Sequence, residues 1–510
     1  MKLRDTPTQL AQHPPLRDWQ QRCLTQALQQ LSPSTPHFLC QATPGAGKML
    51  MAAVLADQLL QRDEIDYVLY LGPSREVVSR AEETLADVTG FVMDSGLGAR
   101  GGCYTYQSLR TRLRALQQLG SQFRVLLIWD ESHHAGRLPG TQQGVNGANE
   151  WGRALLLLER YMRYTFALSG TPWRSDGRCL PLLSYLDIPP ADGEECEQEN
   201  CEVPFQQRLV PDFVYTLQEA VRDGVCRLPY IHLIDNRHIQ LTLTHTNHKK
   251  PPKLKQFSSI PRLLRHPGVG YADLLRHDVP MQYVLAQGVA KLSALRQAQP
   301  TAGGLVVATD IEHAEEITEW MMDQGEDVCL VTSQTPNAHA KLRAFRESTQ
   351  AWIVSVGMIS EGVDIPRLRV CCYLSRIRTE QHFRQVLGRI IRRLGLHDPD
   401  CYLYVLNEEL LRRYAHRIAD DLPQENAVVT ETAPASAPAA PGYGNTAPVA
   451  PQDNVTLAES ETSNAETDAI AVVFGASATT TAAAAKAQPS WEHDMAFSQR
   501  FIEHLATLKI

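Results

Sequence analysis

The sequence predicts a parallel α/β protein whose chemistry sits where buried strands end. Three stretches carry that prediction. A short apolar run, His37-Phe38-Leu39-Cys40, leads into Ala42-Thr43-Pro44-Gly45-Ala46-Gly47-Lys48-Met49 and then a helical stretch, Leu50 to Leu60. A second run, Arg124 to Trp129, ends in Asp130-Glu131-Ser132-His133-His134. A third, Tyr164 to Leu168, ends in Ser169-Gly170-Thr171-Pro172-Trp173-Arg174. Strand, helix, strand with polar residues at each strand end is the pattern of a parallel sheet covered by helices.

The first stretch has the composition of a phosphate-binding loop. Glycines let backbone N–H groups converge on a polyphosphate, the following helix start adds partial positive charge, and Lys48 can reach the β- and γ-phosphates. Thr43, Gly45, Ala46, Gly47, Lys48 and Met49 are therefore candidate nucleotide ligands. The last position departs from the pattern, which has a Mg²⁺-ligating hydroxyl where this chain has Met49. Upstream, Leu16-Arg17-Asp18-Trp19-Gln20 opens a helical pattern. Trp19 could stack on adenine and Gln20 bond its edge, or the pair could simply begin a surface helix with a packed Trp.

Two carboxylates at the end of a buried strand are costly unless they serve a cation or a proton transfer. The natural division gives Asp130 the water shell of Mg²⁺ and Glu131 the attacking water. Between these stretches, Tyr67 to Leu71 reads as a buried strand closed by Gly72-Pro73-Ser74, and Thr105-Tyr106-Gln107-Ser108-Leu109 follows a glycine-rich turn.

Composition is that of an ordinary globular chain: 510 residues, 43 % hydrophobic and 21 % charged. The net charge of −8 is concentrated in the tail, where residues 421–490 hold eight acids against Lys486 alone. Residues 1–420 are near neutral, which leaves room for local basic patches that bind nucleic acid. Residues 1–20 lack the pattern of a secretion signal, and no apolar run is long enough to span a bilayer, so a cytoplasmic location without membrane contact is expected. The eleven irregularly spaced cysteines read as reduced thiols.

A second series of strand-like segments follows. Gly304 to Asp310 precedes a helix from Glu312 to Met322, and Trp352 to Val356 leads into Gly357-Met358-Ile359-Ser360-Glu361-Gly362-Val363-Asp364-Ile365-Pro366. Then comes Gln381-His382-Phe383-Arg384-Gln385-Val386-Leu387-Gly388-Arg389-Ile390-Ile391-Arg392-Arg393. On these motifs and their order the chain resembles superfamily 2 helicases and translocases of the DEAH-like, type III restriction-subunit branch.

The resemblance implies two tandem RecA-like parallel-sheet domains with an irregular inter-domain insertion and a disordered C-terminal tail. Residues 1–176 would form the ATP-binding domain, 177–300 the connector and 301–420 the second domain. It implies that the Leu-Arg-x-aromatic-Gln stretch, with Trp19 and Gln20, contacts adenine. Pro73, Ser74, Thr105, Tyr106 and Gln107 would touch the nucleic-acid backbone. Ser169, Gly170 and Thr171, with His133 and Gln385, would couple hydrolysis to movement. Gly362 and Asp364 would sit in the domain cleft near ribose and Mg²⁺, and Arg389 and Arg392 would reach across it as arginine fingers.

The connector holds Cys179, Cys196, Cys201 and Cys226, whose loose spacing argues against a zinc site. Its basic stretch His245 to Lys255 reads as a phosphate contact or a solvated linker. Residues 421–490, rich in Ala, Pro, Ser, Thr and acids, read as a disordered linker, and 491–510 as an amphipathic helix that docks on this chain or on a protein partner. The expected function is an ATP- and Mg²⁺-dependent nucleic-acid motor, on DNA rather than RNA by resemblance. Two alternatives stand beside it: a degenerate ATPase that clamps nucleic acid or a partner, and the motor subunit of a larger restriction- or repair-type assembly.

Overall fold

Two parallel sheets, each flanked by helices, are the frame on which the candidate residues are mounted. The computed structural model describes residues 14–132, 150–170, 183, 185–188, 206–244, 253–357, 365–393, 395, 398–422, 428–432 and 469–474. The first sheet is built by α1 (Asp18–Gln30), β1 (His37–Ala42), α2 (Lys48–Gln61), β2 (Tyr67–Gly72), α3 (Arg75–Thr89), β3 (Gly101–Thr105), α4 (Tyr106–Gln122), β4 (Val125–Asp130), α5 (Glu150–Glu159) and β5 (Tyr164–Ser169). A small antiparallel pair, β6 (Tyr185–Ile188) and β7 (Gln206–Leu209), precedes β8 (Phe213–Tyr215), which returns to that sheet. The order is β3-β2-β4-β5-β1-β8, with every pairing parallel.

These strands read as continuous apolar runs because both of their faces are covered. All of β5 is buried, as is β4 up to Asp130. The consequence for the site is one of register. Asp130 pairs with Leu168, and Gln41 with Ser169, so β4, β5 and β1 end side by side. A parallel sheet thus brings residues 42, 130 and 169 to one edge from distant places in the chain.

The chain continues through α6 (Leu217–Arg222), β9 (Leu228–Ile234), β10 (Ile239–Thr244), β11 (Lys253–Phe257), α7 (Ile260–Leu263), α8 (Tyr271–Arg276), α9 (Asp278–Ala298), β12 (Gly303–Val307), α10 (Ile311–Asp323), β13 (Val328–Val331), α11 (Ala338–Glu347), β14 (Trp352–Ser355), β15 (Leu368–Tyr373), α12 (Glu380–Ile390), β16 (Asp400–Leu406), α13 (Glu409–Asp420), β17 (Val429–Thr432) and β18 (Ala469–Phe474), with β11, β10 and β18 in a small antiparallel sheet of their own. Seven of these strands form a parallel sheet in the order β13-β14-β12-β15-β16-β9-β17.

Two boundaries differ from the sequence reading. The second sheet does not begin at residue 301: β9, inside the connector, lies between β16 and β17, and its Leu228, Ile231, Leu233 and Ile234 are buried. The tail also contributes strands. Val428 and Val429 are buried where β17 adds to β9, and the apolar stretch Ala469–Phe474 pairs antiparallel with β10. Average composition hid these short apolar stretches among the Ala, Pro and acidic residues around them. Residues 491–510 lie outside the described residues, as do Cys179, Cys196 and Cys201. Among the described residues no helix is long and apolar enough to cross a membrane.

Candidate active site at the strand ends and the domain junction

The glycine loop occupies the turn from β1 into α2. Gly45 and Gly47 have φ of 83° and 93°, the left-handed region that a side chain rarely tolerates. The loop is fastened at both shoulders. Thr43 is buried and its N–H donates to Tyr215 O on β8 (3.1 Å). On the other side, Arg17 Nη1 donates to Ala46 O (2.7 Å) and Gln20 Nε2 to Gly47 O (2.9 Å), while Arg17 N–H donates to Gln20 Oε1 (2.8 Å). Lys48 Nζ donates to Ala42 O (3.1 Å), folding the cation back over the loop.

The helix start before the loop therefore acts as a brace, and Arg17 carries as much of it as Gln20. Trp19 is corrected to the packed alternative. It is 1 % exposed, and its ring lies 4.8 Å from Tyr215 in a near-parallel stack, so neither face is open to adenine. Met49 is half-buried and packs against the apolar core behind the loop.

At the end of β4, Asp130 accepts from Tyr70 Oη–H (2.9 Å) and from the Glu131 N–H (3.0 Å). Burial, reinforced by the neighbouring Glu131 carboxylate, pushes the Asp130 carboxyl up to about 6, with Lys48 pulling the other way. Glu131 has φ of 52°. A non-glycine residue there is uncommon, and it marks a break from the strand conformation at the point where the chemistry is expected.

Tyr106 is fully buried, its hydroxyl donates to Asp130 O (2.6 Å), and its ring stacks on Trp151, so it supports the acidic strand end. Gln107 is exposed and lines, with Arg110, Thr111 and Trp151, a cleft of about 560 Å³. Thr105 is the residue before α4, and Ser74 caps α3 by accepting from Val77 N–H (3.3 Å), beside half-buried Pro73.

Ser169 is buried at the end of β5. A Cβ on Gly170 would come within 2.9 Å of Pro44 Cδ, so this strand end lies directly against the loop. His133, Thr171, Gly362 and Asp364 lie outside the described residues.

From the second sheet, α12 reaches the same loop. A Cβ on Gly388 would stand 2.7 Å from Pro44 Cβ, and one on Gly45 would stand 2.8 Å from Arg392 Cγ. Cys226 Sγ, 3.6 Å from Pro44 O, closes the junction, and its residue forms an antiparallel bridge with Arg392. Gln385 and Arg389 are half-buried four residues apart on α12, hence on one helix face. Arg392 follows the helix end. The structure thus brings Lys48, Asp130, Glu131, Ser169 and Gly170 together on one sheet edge and sets Arg392 against their loop. Motif reading did not find the roles of Tyr70, on β2, or of Cys226, just before β9, because their polar atoms matter only through contacts distant in sequence.

Two parallel α/β domains, with a glycine loop on one meeting a basic helix of the other, are the build of helicase-type proteins. Residues 13–174 match the family of the type III restriction enzyme res subunit, and residues 289–393 match the helicase conserved C-terminal domain. The chain belongs with the superfamily 2 helicases, in the type III restriction-subunit-like branch. It is 28 % identical over 390 residues to the uncharacterized protein Rv2917 of Mycobacterium tuberculosis, covering 74 % of this chain and 59 % of that protein. It is 24 % identical over 292 residues to the DNA 3'-5' translocase XPB2 of Sulfurisphaera tokodaii, covering 57 % and 60 %. The chain thus spans less than two thirds of each of these relatives. The fold resembles a fragment of a putative HsdR subunit of a type I restriction enzyme from Vibrio vulnificus (TM-score 0.53, 16 % identity, 82 % of this chain and 69 % of that one). It also resembles the type ISP restriction-modification enzyme LlaBIII bound to DNA (TM-score 0.51, 15 % identity, 83 % and 32 %).

Proposed function

We propose that this protein is an ATP-driven motor that moves along or opens nucleic acid, with DNA as its track. The observation that carries the reading is the junction itself. At Pro44 and Gly45 the glycine loop meets Gly170 at the end of β5, beside the Asp130 strand end, and from the other domain Gly388 of α12 and Arg392 just past it. The donor set suits a hard divalent cation beside a polyphosphate. Asp130 is a carboxylate whose ionised form is disfavoured by burial, and a cation would relieve that. Asp130 would hold Mg²⁺ through water, and Gly45, Ala46, Gly47 and Lys48 the phosphates. The metal would supply charge neutralisation at the transferred phosphoryl group.

Each residue then has a task that matches its position. Lys48 leaves Ala42 O for the phosphates, Glu131 orients the attacking water, and Arg389 and Arg392 stabilise charge that grows on the γ-phosphate. Opening and closing of the junction would convert turnover into stepping. The preference for DNA rests on the similarity to translocases and restriction subunits. Exposed Gln107 and Arg110, beside the cleft at α4, are the proposed track contacts.

A second reading is favoured by Met49: a nucleotide-binding clamp with feeble turnover, because a thioether packed on the core supplies no hydroxyl to the metal. Rates of ATP hydrolysis measured in parallel without nucleic acid, with single-stranded DNA, duplex DNA and RNA separate the two. A motor is stimulated by its track, and DNA is expected to stimulate most. A clamp binds ATP and DNA with no stimulated rate.

A further inference from the structure

Arg227, the residue before β9, is 0 % exposed, yet neither the loop nor the arginine helix contains it. All five of its guanidinium N–H donors are used. Nη1 donates to Leu368 O (2.6 Å) and Ile390 O (2.7 Å), and Nη2 to Pro366 O (2.8 Å) and to Asp398 Oδ2. Nε donates to the same carboxylate oxygen (3.1 Å), and the backbone N–H of Arg227 donates to Ile391 O (2.8 Å).

The acceptors define what this residue does. The last carbonyls of a helix have no partner inside the helix, and Arg227 takes those of Ile390 and Ile391 at the end of α12. These are the two residues between Arg389 and Arg392. Pro366 O and Leu368 O tie the same guanidinium to the start of β15. One residue earlier in the chain, Cys226 is bridged to Arg392 and lies against Pro44 of the glycine loop. A path two residues long therefore joins the loop, the end of α12 and the start of β15.

Burying a guanidinium with one carboxylate is a poor way to gain stability, since an apolar pair of similar volume often does as well. A planar fork with five directed donors is instead a good way to fix several backbone segments in one geometry. We propose that Arg227 is a positioning residue: it holds the end of α12 so that Arg389 and Arg392 meet the glycine loop in register for hydrolysis. The inference rests on the reading of those arginines as charge-stabilising groups.

The test uses the full chain and two variants, with Arg389→Ala measured beside them. Arg227→Lys keeps a cation against Asp398 but cannot span the four acceptors. The double variant Arg227→Met with Asp398→Leu removes the ion pair at similar volume. For each, kcat should fall about tenfold or more while affinity for a non-hydrolysable ATP analogue stays within about twofold. Melting temperature should stay within a few degrees of the parent. A parental kcat in either variant overturns the proposal, as does a loss of kcat matched by equal losses of nucleotide affinity and melting temperature. If both variants fail to melt cooperatively, the claimed separation of positioning from folding is wrong. If Arg389→Ala hydrolyses ATP at the parental rate, the error lies in the arginine reading itself, and the proposal falls with it.

Discussion

The two sheets contribute to the junction in different ways. On the first sheet Asp130, Glu131, Ser169 and Gly170 sit within a residue of the ends of β4 and β5, parallel register aligns them with the end of β1, and a short loop carries Lys48 back to that strand end. On the second, Arg389 and Arg392 flank a helix end whose carbonyls are held by a side chain more than 160 residues earlier in the chain. The first half is local chemistry on a regular scaffold. The second half is a long-range tether. Errors in the first should abolish chemistry outright, whereas errors in the second should misplace groups that are still present.

The largest effects are therefore expected on the first sheet. Lys48→Ala removes the phosphate cation and Glu131→Gln the carboxylate that orients water, and each should bring stimulated hydrolysis below detection. Glu131→Gln should still bind ATP, because the amide has the shape of the acid. Stimulated turnover at the parental rate in either variant, measured as phosphate release, would break the assignment of chemistry to this sheet.

Next in size is the second sheet's own group. Arg389→Ala should lower kcat by roughly 10³-fold with little change in nucleotide affinity, the scale of an arginine that acts mainly in the transition state. An equal loss of affinity would mean that Arg389 binds ground-state nucleotide, and the contrast between the two halves would weaken.

The same contrast governs what could be read from the sequence. The loop, the acidic pair and the Ser169-Gly170 strand end were legible because a strand, a turn and a few polar residues are contiguous. The strand runs were legible too, since burial on both faces leaves unbroken apolar stretches such as Tyr164 to Leu168. Trp19 and Tyr106 show a limit of sequence reading: an aromatic ring beside a functional motif has the same sequence whether it faces a ligand or a core. Here Tyr215 and Trp151 take the two rings. Arg227 escaped because its meaning lies in carbonyls at residues 366, 368 and 390, and carbonyls have no sequence signature. The connector boundary failed similarly, since β9 joins the sheet through strands far along the chain.

Asp130 provides a smaller, thermodynamic test of the first sheet. Its carboxyl is raised in the folded protein from 3.8 to about 6, so the folded state holds a proton that the unfolded state has lost between those values. Its contribution to stability is complete below the unfolded value and is lost as pH rises through about 6. Asp130→Asn, which keeps the shape and removes the titration, should therefore raise the melting temperature of the nucleotide-free protein at pH 8 by a few degrees. That gain should shrink as pH falls through about 6. A gain that is the same at pH 5 and pH 8 would show that burial of Asp130 charge is not what the folded state opposes.

The smallest expected effect concerns Met49, which stands where the loop's motif has a hydroxyl. Two demands compete there. The core behind α2 accepts an apolar side chain, and Met49 packs against it; the cation expected at Asp130 wants oxygen, which a thioether does not supply. If water fills the missing ligand position while Asp130 holds the metal through its shell, hydrolysis continues at reduced efficiency. Met49→Thr then exchanges some packing for a hydroxyl at the start of α2. It should raise kcat a few-fold and lower the Mg²⁺ concentration for half-maximal rate, at the cost of a modest drop in melting temperature. Those three readings must move together, because one substitution makes the ligand and removes the contact. Should melting fall while kcat and the Mg²⁺ requirement stay put, the thioether serves packing alone. The hydroxyl was then never missed, and metal coordination at this loop does not depend on the first residues of α2.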